Sequence, residues 1–105
     1  MALILSASSK SKMPYGTFGI INDGSYGGTV GCDNNSTVKY SNANFVNFTG
    51  FTTENTGSRC NFTPTFDCKV VVYQSNTETE YNVTANTATD VGATTSPLVA
   101  YIYTD

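Results

Sequence analysis

The sequence predicts an all-β protein, an antiparallel β-sandwich or small barrel of about seven to eight short strands with an extended N-terminal segment. Three observations carry this. Seventeen Thr, nine Val, seven Tyr and six Phe fit pleated, half-buried surfaces. Eleven Asn, ten Ser and nine Gly supply turns, while the good helix formers are scarce. Strand-like runs separated by turn signals recur about every ten residues. A 105-residue chain makes one modest core. Its 12% aromatic content and formal net charge of −3 argue against disorder.

Residues 1–14, MALILSASSKSKMP, place a short apolar tip, Ala2–Leu5, before a polar stretch closed by Pro14. This segment reads as an N-terminal arm or an edge strand, and residues 15–105 as a single β domain. TFGIIN at 17–22 is a strand, NDG at 22–24 a turn that SYGG prolongs, and TVGC at 29–32 a second strand. DNNS at 33–36 turns into TVKYS at 37–41, which alternates as a third strand should. In NFVNFTGF at 44–51 the phenylalanines recur every three residues, which is neither helical nor extended. It reads as a bulged aromatic strand or a tucked loop. TTENTGS at 52–58 reads as a loop. KVVVYQ at 69–74 is the clearest buried strand, SNTETE a turn, YNVTANT at 81–87 a weaker strand, and ATDVGATTSP a loop. LVAYIYT at 98–104 ends the fold, with Leu98, Ala100 and Ile102 on one face and Val99, Tyr101 and Tyr103 on the other.

CNFTPTFDC at 60–68 is nearly palindromic about Pro64. Folded as a hairpin with Pro64 at its tip, it sets Phe62 opposite Phe66 and Cys60 opposite Cys68. Facing Cα atoms ~4.5–5.5 Å apart lie within disulfide range. The pair is a disulfide or two buried thiols, reduced thiols being the default in a cytosol.

The search for chemistry removes several classes. With no histidine and three cysteines, the chain lacks a structural zinc set and the usual base for a Ser or Cys nucleophile. No phosphate-binding glycine motif is present. NDGS and DNNS lack the rest of a calcium loop. No enzyme activity, metal or cofactor is expected. Five Lys and Arg, unclustered, cannot make a nucleic-acid-binding face. Ala2–Leu5 is too short for a membrane span or a signal-peptide core. Five Asn-x-Ser/Thr sequons, at Asn34, Asn35, Asn47, Asn61 and Asn82, read as incidental in so Asn/Thr-rich a chain.

Only 12% of residues are charged, about half the usual share. Such a surface suits adhesion, because covering it desolvates few charges. MALILSASSKSKMP, the NDGSYGG turn and the Thr/Asn-rich middle, together with the missing signal, resemble small bacteriophage virion proteins, especially capsid decoration or cement proteins. The resemblance is one of type over the whole chain. It implies a trimer or dimer, made in the host cytoplasm and placed on the virion surface, binding capsid or other virion proteins over subunit junctions. Ala2, Leu3, Ile4 and Leu5 are then the expected partner contact, a strand to add to a neighbour's sheet. The alternative is a carbohydrate-binding or adhesin-like module with Tyr26, Tyr40, Tyr101 and Tyr103 stacking on sugar rings.

Overall fold

The structure, a computed structural model, describes residues 15–20, 26–30, 37–40 and 45–104. The expected arm at 1–14 and the NDG and DNNS turns lie outside the described residues. Among these residues are ten strands: β1 (Gly16–Ile20), β2 (Tyr26–Val30), β3 (Thr37–Tyr40), β4 (Phe45–Phe48), β5 (Phe51–Thr56), β6 (Arg59–Pro64), β7 (Cys68–Gln74), β8 (Thr77–Val83), β9 (Thr89–Ala93) and β10 (Leu98–Tyr103). They form a six-stranded sheet in the order β3-β2-β1-β10-β7-β8 and a four-stranded sheet in the order β4-β5-β6-β9. Every described pairing is antiparallel. The architecture is a sandwich.

Alternation in the strands builds the core between the sheets. The six-stranded sheet turns Phe18, Ile20, Val70, Val72, Leu98, Ala100 and Ile102 inward. The four-stranded sheet answers with Val46, Phe48, Phe51, Cys60, Phe62 and Val91. Phe18 stacks on Phe62 across the gap, with centroids 5.3 Å apart and planes 11° apart. Phe51 touches both rings at a tilt, at 5.7 Å and 5.5 Å.

More strands form than the expected seven or eight, and four stretches read as loop or turn are extended. SYGG supplies the start of β2, TTENTGS most of β5, SNTETE the start of β8, and ATDVGATTSP contains β9. Their Thr, Asn and Glu residues lack apolar alternation. In β8 only Val83 is fully buried, so ladder bonds to β7 hold this edge strand more than its own pattern does. The threefold phenylalanine spacing resolves into a tight hairpin. Phe48 and Phe51 are cross-strand partners stacked at 4.6 Å about the Thr49–Gly50 turn, while Phe45 points to solvent.

The hairpin expected at Cys60–Cys68 is not there. β6 pairs with β5 and β9, whereas β7 pairs with β10 and β8 in the other sheet. Residues 65–67 carry the chain across the sandwich. The apolar faces of the two runs do meet the same core, but from opposite layers. The crossing is tied down by Asp67, whose Oδ1 accepts from Ala85 N at 2.9 Å, and by Asn86 N donating to Pro64 O at 2.7 Å. A second crossing, β9 to β10, is clamped by Gln74. Its Nε2 donates to the carbonyls of Ala93 (2.9 Å) and Ser96 (3.1 Å), and its Oε1 accepts from Ala93 N (3.2 Å).

The β7–β8 turn places Ser75 at φ 54° and Asn76 at φ 62°, the two left-handed positions of a type I′ hairpin turn. Asn-Gly suits those positions better than Ser-Asn. The double substitution Ser75→Asn/Asn76→Gly is expected to add about 0.5–1 kcal/mol. That reads as a rise of roughly 4–8 °C per kcal/mol in thermal unfolding.

Candidate functional site

The site is built from the strands whose alternation turns apolar residues outward. In β10 the outward set is Val99, Tyr101 and Tyr103, and in β7 it is Lys69, Val71 and Tyr73, of which Val71 is nonetheless buried. Register aligns them as rows: Val99 opposite Tyr73, Tyr101 opposite Val71, and Tyr103 opposite Lys69. On β8 each row ends in a polar residue, Glu78 beside Tyr73, Glu80 beside Val71 and Asn82 beside Lys69. On β1 the rows begin with Gly19 and Thr17. Tyr73 and Tyr101 meet edge to face at 5.8 Å and 86°. Val99 is 44% and Tyr73 36% exposed. Lys69 Nζ lies 4.0 Å from Glu80 Oε1. Partial burial, then the neighbouring Tyr73, Tyr101 and Glu78, raise the Tyr103 pKa above its ordinary value. A shallow depression of about 540 Å³ opens beside the patch, lined by Tyr73, Ser75, Asn76, Glu78, Pro97 and Val99.

This arrangement presents flat aromatic and aliphatic surface with carboxylates along one border. It can bind by burial, stacking and hydrogen bonding. Among the described residues no three His, Cys, Asp or Glu side chains stand close enough to hold a metal ion.

Of the expected sugar-stacking tyrosines, Tyr101 and Tyr103 share this face. Tyr26 does not: it is fully buried, and its ring belongs to the core. Tyr40 is placed by register opposite Tyr26, and its side chain lies outside what the structure describes. Sequence reasoning missed Tyr73. The signal was available, since alternation in KVVVYQ sets Tyr73 two residues from Val71 and four from Lys69 on one face. Ala2–Leu5 lie outside the described residues.

Tyr26 marks a buried polar corner instead. Its hydroxyl meets Asn55 Oδ1 and Cys60 Sγ, the latter at 3.1 Å. One phenol proton cannot serve both at once, so at any moment the hydroxyl donates to one of the two. Thr53, also fully buried, lies close enough to favour the phenolate slightly, but its hydroxyl makes no hydrogen bond of normal geometry. Burial, then Cys60, pushes the Tyr26 pKa far above its ordinary 10.

Cys60 and Cys68 are both free thiols. Cys60 faces Asn55 and Gly92, and Cys68 faces Val83, so the pairing expected from a hairpin has no counterpart here. Burial raises each thiol from about 9 to about 11, a hydrogen bond from Tyr26 partly opposing this at Cys60 and the charge of Asp67 adding to it at Cys68.

These shifts have a sign. Between pH 9 and 11 the unfolded thiols lose protons that the folded ones retain, so the unfolded state binds fewer and stability falls as pH rises. The full contribution is present below pH 9. Denaturant titrations at pH 7.5, 9 and 10.5 are expected to show a plateau and then a decline. The decline should be shallower in Cys60→Ala, measured against that variant's own neutral value.

On the other face, Arg59 donates from Nε (2.9 Å) and Nη2 (2.9 Å) to the Asp90 carboxylate. Asp90 also accepts from Gly92 N at 3.1 Å, beside the register shift between β6 and β9. This exposed pair holds the bulge.

Comparison with protein-family models, curated proteins and solved structures returns no match. Among the described residues no helix is long and apolar enough to cross a membrane.

Proposed function

We propose that this chain is a virion structural protein, of the capsid decoration or cement type, that works by protein–protein adhesion as a symmetric oligomer. The observation that carries this reading is the contiguous outer face of Tyr73, Val99, Tyr101 and Tyr103 on a sheet of low charge. Covering that face removes apolar area from water at roughly 25 cal/mol per Å². Much of this is offset by lost rotational and translational freedom, so a single contact is modest. Repetition over a symmetric shell multiplies it through effective concentration. The type of virion protein rests on the sequence resemblance, and the adhesive chemistry on the face.

A second reading has its own observation. Tyr73, set beside Glu78 and the neighbouring depression, offers a ring to stack and a carboxylate to accept hydroxyl protons, as a saccharide site needs.

The test is absolute mass by light scattering, with and without reductant, on the native 11.2 kDa chain and on Val99→Glu. The native chain is expected to be a dimer or trimer, unchanged by reductant. Val99→Glu should shift it toward monomer while moving unfolding stability by no more than about 0.5 kcal/mol, as for other exposed sites. A native monomer that binds saturably on a sugar array, and loses binding in Tyr73→Ala, would replace adhesion with the saccharide reading.

A further inference from the structure

We draw no further inference here: the strongest candidate, the uncharged edge of the four-stranded sheet at β4 with Phe45 exposed on it, carries nothing because nothing in the structure shows what covers it.

Discussion

Gly50→Ala is expected to destabilise the fold by about 3 kcal/mol, combining the cost of a left-handed non-glycine residue with overpacking. Gly50 sits at φ 90°, where a side chain is strained. An added Cβ would also run into the Tyr15 hydroxyl, with Phe66 Cε2 at 3.1 Å behind it. Tyr15 cannot swing aside freely, because that hydroxyl is bonded to Thr49 O. Gly50 O in turn accepts from Thr65 N (2.9 Å) and Thr65 Oγ1 (3.1 Å), so displacing the turn loosens the crossing between sheets. At about 4–8 °C per kcal/mol, the thermal midpoint should fall by roughly 12–24 °C. Tyr15→Phe alone should cost about 1 kcal/mol for the lost hydrogen bond. Combined with Gly50→Ala it should cost less than the sum of the two, because removing the hydroxyl makes room for the methyl group. Simple additivity in calorimetry would show that backbone strain alone sets the cost.

Phe62→Ala is the second large expected loss, about 3–5 kcal/mol. Phe62 is fully buried, stacked on Phe18 and tilted against Phe51. It is the four-stranded sheet's half of the central contact between layers. Its neighbours cannot collapse into the space, because strand pairing on both sides fixes β6 between β5 and β9. A domain of this size has ~5–15 kcal/mol in total, so the variant should be partly unfolded near its growth temperature. Phe62→Leu should recover more than half of the loss. Denaturant midpoints for the pair check this, and an equal loss in both would point to the aromatic stack in place of buried volume.

Much of the architecture was legible in the sequence. LVAYIYT and TFGIIN alternate because one face of each is buried and the other is not, and both are strands close to the expected limits. The mistaken elements share a cause. TTENTGS, TETE and the TDVGA within ATDVGATTSP carry little alternating apolar pattern, so their extended state depends on a partner ladder that composition does not reveal. CNFTPTFDC was misread for a related reason. An inward apolar face looks the same whether the next strand lies beside it or across the core, and local symmetry about Pro64 says nothing about which.

Three of the four residues of the candidate face were legible in the same way. Alternation alone puts Val99, Tyr101 and Tyr103 on one side of the last strand. Tyr26 shows the limit: in SYGG it reads as an exposed turn residue, yet it is paired opposite Ile20 and buried over Cys60 and Asn55.

Taken alone, then, the residues determine an all-β chain of low charge, the strands with clear period-2 burial, and which side chains share a face within each, because those properties are local. Tertiary structure alone decided that β6 and β7 part into different sheets, that Cys60 and Cys68 stay apart as free thiols, and that β10 lies between β1 and β7. That last choice gathers Tyr73, Val99, Tyr101 and Tyr103 into one surface. Strand order is a matter of long-range pairing among interchangeable hydrogen-bonding edges. It is selected by how the whole core packs, as with Phe18 against Phe62, and no single stretch of sequence encodes it.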